Sequence, residues 1–293
     1  MAIRTILAPL SGGAASEGAI ETACRLAKRF GAHLEALHMR VDPREALPLL
    51  GQSISSPVAS ELIELATLES TENARRARAA FDAAVERHGL PLRAVPLGST
   101  ERTREGGSAS WREETGYAAA FIPRRARIFD LVVLGQSGRV SDRPHSNTLE
   151  ETLLRGGRPV LVAPMRPALP IGEIVAIAWN HSLEAARAVA AAMPLLSEAK
   201  EVHLLLASRE GEQPSAGDLA EYLAWHGIRS AAHVIDLVPG LGAGELLLEA
   251  ARDHGADLLV MGGYGHAPWR EMIFGGTTRQ IVGNSRLPLL LAH

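Results

Sequence analysis

DLLVMGGYG, residues 257–265, reads as an acidic residue, a buried-type apolar run and then Gly-x-x-Gly; DLVVLGQSG, residues 130–138, reads the same way. Downstream of each lies a short apolar strand opened by a proline, RPVLVAP at 158–164 and LPLLLAH at 287–293. Upstream, IRTILAPLSG (3–12) followed by SEGAIETACRLAKRFG (16–31) parallels EIVAIAWNHS (173–182) followed by LEAARAVAAAMPLL (183–196): strand, tight turn, amphipathic helix. Two copies of one unit therefore fill the chain, because self-similarity across so many segments marks a repeated architecture.

Within each copy, apolar runs alternate with helical patterns, which predicts β-α-β crossovers and a parallel sheet covered on both faces. For the second copy the pattern predicts strands at 174–179, 201–207, 230–237, 257–262 and 288–292, with helices at 183–196, 215–227, 243–254 and 276–285. The fold class is α/β, with two tandem five-stranded parallel-sheet, Rossmann-like domains. The boundary falls at MRPALPIG, 165–172, whose prolines remove donors and favour an extended linker. Residues 1–166 are the expected first domain and 173–293 the second. The first is longer because of material around 42–60 and the Gly/Ser-rich GSTERTREGGSAS at 98–110, both read as surface insertions.

With 293 residues, 46% hydrophobic and 22% charged, the chain has the composition of a globular protein able to bury a sizeable core. The net charge of −3 gives no electrostatic case for nucleic acid or an anionic membrane surface. The short RRAR at 124–127 reads as a solvated helix face. A single cysteine, Cys24, excludes an internal disulfide, points to a reducing compartment and reads as a small core residue. The opening MAIRTILAPLSGG enters a strand pattern directly, and no stretch approaches a membrane span, so a cytoplasmic location is the expectation.

The stretch MGGYGHAPWREMIFGGTTRQIV, 261–282, carries glycines at 262, 263, 265, 275 and 276. Open parallel sheets bind ligands outside the carboxyl ends of their strands. Both glycine groups converge there, and a helix N-terminus freed of Cβ atoms can receive a phosphate on its amides. Tight turns alone would also explain such glycines. The spacing Gly262-x2-Gly265-x9-Gly275 narrows the choice, because it is similar to the Gly-x2-Gly-x9-Gly-(Ser/Thr) signature of the universal stress protein family, which both copies also resemble in element order.

That resemblance, to a tandem two-domain bacterial form, implies a stress-response regulatory protein. It implies an adenosine nucleotide, ATP or AMP with Mg²⁺ as an accompanying ion, held in the C-terminal domain. The implied contact set is Trp179, Asn180, Ala207, Gly262, Gly265, His266, Gly275, Gly276, Thr277 and Thr278. Two departures stand out: Gly276 follows the third glycine where a Ser or Thr is expected, and Asn180 replaces an acidic residue. Asn still offers a donor and an acceptor to a base or ribose edge. His266 and Arg270 are candidate phosphate partners or exposed loop cations; Trp179 can stack on a base or pack; Trp269 is expected to pack against the turn or a partner chain.

The first copy argues by contrast. Ser146, Asn147 and Thr148 stand where the second has Gly275, Gly276 and Thr277, and the turn PLSGGAAS places Leu10 where the carboxylate belongs, so no nucleotide is expected there. Ser11-Gly12-Gly13 also resembles the loop of ATP pyrophosphatase-type adenylating enzymes, but Ala15 occupies the position of their Asp. A turn capped by Ser16 is the preferred reading. A third option is an interaction module in which the apolar final strands pair the two domains edge to edge or face to face; a homodimer is a further option. No catalytic residues are assigned: there is no Ser-His-Asp order, Walker motif or metal-type spacing among the 11 histidines, and His203 and His233 read as satisfied or edge residues.

Overall fold

The computed structural model describes residues 2–40, 56–93, 106–136, 143–166, 170–209, 211–238, 240–263, 278 and 281–293. The first half runs β1 (Thr5–Pro9), α1 (Ala15–Phe30), β2 (His33–Arg40), α2 (Ser56–His88), β3 (Ser108–Thr115), α3 (Ala118–Ala126), β4 (Leu131–Gly135), α4 (Arg143–Gly156) and β5 (Val160–Ala163). The second runs β6 (Ile174–Ala178), α5 (Leu183–Leu196), β7 (Glu201–Ser208), α6 (Gly217–Trp225), β8 (Ala231–Asp236), α7 (Ala243–Asp253), β9 (Leu258–Gly262) and β10 (Leu289–Ala292), with residues 281–284 helical before β10.

All ten strands form one sheet in the order β3-β2-β1-β4-β5-β10-β9-β6-β7-β8. Within each half every pairing is parallel; at the centre, β5 and β10 pair antiparallel, Leu290 opposite Leu161. The two apolar final strands thus meet edge to edge, closing what would otherwise be two exposed hydrophobic edges. Strands at the centre are buried on both faces, which is why VLVA and LLLA show no polar alternation.

Helices cover each face. One core joins α1, α2, α5 and α6 to residues such as Ile6, Leu34, Val175 and Ile177; the other joins α3, α4 and α7 to Leu7, Val132, Ala176 and Leu259. Both cores run across the β5·β10 seam. Cys24 is fully buried in α1, and burial pushes its thiol up to about 12, so it behaves as a small inert core residue.

The repeated aspartate acts as a brace. Asp130 accepts hydrogen bonds from the Arg4 and Thr5 amides (2.8 and 2.9 Å) and from the Thr5 hydroxyl, while Asp257 accepts from the Gly172, Glu173 and Ile174 amides. In each half this ties the leading end of the first strand to the strand beside it, satisfying amides outside the ladder.

Two expectations for the first half need correcting. Ser108–Thr115 is strand β3, so the tail of GSTERTREGGSAS belongs to the sheet; residues 94–105 lie outside the described residues. Residues 56–60 open the 33-residue α2, and 41–55 lie outside the described residues. The RRAR stretch is solvated only in part: Arg124 is exposed, whereas Arg125 grips the buried Glu35 with two hydrogen bonds of 2.8 and 2.6 Å.

Candidate functional site

The chain winds outward from β6 to β7 and β8, then returns to lay β9 and β10 on the other side of β6. The reversal leaves the carboxyl ends of β6 and β9 as the place where a ligand can enter. Trp179 and Asn180 form one lip of that place; Gly262 and Gly263 form the other.

The first lip is braced by its own side chains. Asn180 Oδ1 accepts the Ser182 amide at 3.1 Å, and Ser182 Oγ caps α5 by accepting the Ala185 amide at 3.1 Å. His181 holds a positive φ of 60°, its Nε2 lying 2.8 Å from the Ser215 carbonyl. Among the described residues the Asn180 side-chain NH2 has no partner, so the lip keeps a donor group with two N–H. Trp179 continues the row of Val175 and Ile177 and packs against the α5 and α6 side, its ring 5.4 Å from that of His181. Packing therefore accounts for the ring, although its Nε1 is buried without a partner among the described residues. Ala207, next to last in β7, alternates to the opposite face with Leu205, so it does not share a wall with Trp179.

The glycine lip has a packing cause. A Cβ on Gly262 would lie 2.7 Å from the Ala185 nitrogen and 2.8 Å from the Glu184 carbonyl carbon, at the first turn of α5. Gly135 repeats this: a Cβ there would lie 2.1 Å from the Ala15 oxygen at the start of α1. Both glycines exist because the first helix of each half comes down onto the end of its fourth strand. The Gly263 amide is already paired with the Ala292 carbonyl at 2.9 Å, and a Cβ on Gly263 would meet Leu153 of α4 at 2.6 Å.

Thr278 is fully buried with its Oγ1 unpartnered among the described residues, a polar group awaiting an acceptor or donor. Gly265, His266, Trp269, Arg270, Gly275, Gly276 and Thr277 lie outside the described residues. A cleft of about 420 Å³ runs along α7 to the turn at 284–287, lined by Glu245, Arg252 and Arg286 among others. It contains none of the residues at the strand reversal.

The corresponding mouth of the first half is covered. Gly12 holds φ +84°, and a Cβ there would lie 2.1 Å from the Asn73 carbonyl oxygen, so α2 presses directly on the loop after β1. Leu10 is 2% exposed and Thr148 is 5% exposed. Ser16 lies inside α1, where its Oγ accepts the Gly12 amide at 3.0 Å; the N-cap position is Ala14. Gln136 reaches across the seam to the Val282 carbonyl, 2.5 Å away.

Sequence reasoning missed one cluster: His203, His233 and His254 come together on the α7 side of the sheet. His203 and His233 were legible only as strand residues, and His254 lies beyond the next helix, so no spacing announced them.

Among the described residues no helix is long and apolar enough to cross a membrane. The model of the universal stress protein family matches residues 184–293. A curated universal stress protein of Synechocystis sp. is 24% identical over 184 residues, 60% of this chain and 62% of that relative's length. A universal stress protein from Archaeoglobus fulgidus superposes with a TM-score of 0.67 at 16% identity, covering 98% of this chain and 95% of that one. A protein of unknown function from Pseudomonas aeruginosa superposes with a TM-score of 0.56 at 16% identity, covering 99% and 92%. At that identity the superpositions establish the fold alone; the family match and the curated relative show that residues 184–293 are similar to the universal stress protein family.

Proposed function

We propose that the chain is a tandem stress-response regulatory protein that binds one adenosine nucleotide, ATP or AMP, at the carboxyl ends of β6 and β9, and that occupancy alters packing or partner choice. Residues 1–166 and 173–293 are its two domains, and only the second takes ligand. The observation that carries this reading is the Gly262-x2-Gly265-x9-Gly275 spacing, whose first glycine stands at the strand reversal. The spare amide of Asn180 and the buried, unpartnered groups of Trp179 and Thr278 support it, since each can pair with a polar ligand. Asn180, Trp179 and Thr278 offer polar groups with which ATP or AMP could pair, and Mg²⁺ would arrive with the phosphates, whose charge it shares.

The paired Gly263 amide favours a second reading, a pure interaction module with no ligand. Titrating the full-length protein and its Gly275→Val variant with ATP and with AMP separates the two. The nucleotide reading expects saturable binding by the wild type and at least a tenfold loss in the variant. Equal binding by both, or by neither, contradicts it.

A further inference from the structure

We propose that His203, His233 and His254 form a binding site for one divalent transition-metal ion of the zinc class, on the opposite side of the second half from the nucleotide reading and independent of it. His203 is on β7, His233 on the neighbouring edge strand β8, and His254 caps the C-terminus of α7. Each can offer a ring nitrogen such that all three lie within 4.8 Å of one another. The rings are already gathered: centroids are 5.2 Å apart for His203 and His233, 4.7 Å for His203 and His254, and 3.8 Å for His233 and His254.

The spacing suits the chemistry. Zinc–imidazole bonds of about 2.0–2.1 Å in a tetrahedron set neighbouring ligand nitrogens roughly 3.3 Å apart. His203 Nδ1 and His233 Nε2 are 3.0 Å apart, so this edge of the tetrahedron needs only a slight opening, and the ring of His254 turns to close the rest. On its far side His203 presents Nε2, buried and without a hydrogen-bond partner among the described residues, 3.4 Å from Glu201 Oε2. A metal-bound imidazole hands its second N–H to a carboxylate in just this sense, which fixes ring orientation and raises ligand basicity.

Charge favours a cation as well. His254 is the C-cap residue of α7, so the cluster lies at a helix C-terminus, which carries partial negative charge. Three imidazoles with a single carboxylate select Zn²⁺, Co²⁺, Ni²⁺ or Cu²⁺ over Mg²⁺ or Ca²⁺. Three protein ligands leave the fourth position to water or to a small anion.

The test uses tag-free, full-length protein stripped with chelator. Titration with Co²⁺ at pH 7.5 should develop visible ligand-field bands that saturate at one equivalent, and Zn²⁺ should displace them. The double variant His203→Gln, His254→Gln should bind at least tenfold more weakly. In the wild type, which needs no variant to fold, one equivalent of Zn²⁺ should protect His203, His233 and His254 from diethyl pyrocarbonate and leave the exposed His226 reactive. Absence of the one-equivalent spectrum, equal binding by the variant, or unchanged reactivity of the three histidines would overturn the site.

Discussion

Gly262 and Gly135 carry the same steric instruction in the two halves: backbone of the first helix occupies the space a Cβ would need. Gly262→Ala should therefore cost about 1–3 kcal/mol of stability in urea unfolding, the range for overpacking a close contact. Unchanged stability with lost ATP binding would instead mean that the glycine serves the ligand alone. His33 gives a pH signature. It bridges β2 to β3 through Ser108 Oγ at 2.8 Å and Ser110 Oγ at 3.0 Å, and burial lowers its pKa, with Glu35 opposing. A depressed folded-state value means that its stabilisation is full above about pH 6.5, the unfolded value, and is lost as pH falls through the lower folded value. Melting temperatures between pH 8 and pH 5 should fall more steeply for the wild type than for His33→Asn; parallel curves would sink this assignment. The aspartates at 130 and 257 were visible in the repeat, but their work was not, because the amides they hold lie more than eighty residues away.

At the scale of elements, the apolar period located the strands of the second half to within a residue or two, because buried parallel strands must be apolar on both faces. The first half hid more. β3 stands at the sheet edge with its later residues exposed, so WREET needs no apolar alternation, and its opening Ser108–Ser110 reads as part of the insertion at 98–110. What no periodicity could convey is which edges meet. The β5·β10 seam joins two fully buried apolar strands, so it should survive a cut in the linker that precedes β6. A protease site placed at 167–169 and cleaved under native conditions should leave both fragments co-eluting in size-exclusion chromatography. Separation of the halves without denaturant would contradict a shared sheet.

Across the whole molecule, the two halves share a topology and differ at their mouths. The spacing of glycines in the sequence singled out the second half, and the covering of the first by α2 could not be read there, since it depends on a helix packing over a distant loop. Of the candidate contact residues, Asn180 and Gly262 stand at the strand reversal of the second half and Thr278 is buried; Trp179 and Gly262 are explained by packing as well as by any ligand. The asymmetry of the mouths has a direct numerical consequence. Isothermal titration of the full-length protein with ATP in the presence of Mg²⁺ should give a stoichiometry of one nucleotide per chain. Two per chain would show the first half to be open as well, and saturating ATP without heat or binding would show the second to be closed; either result contradicts the account.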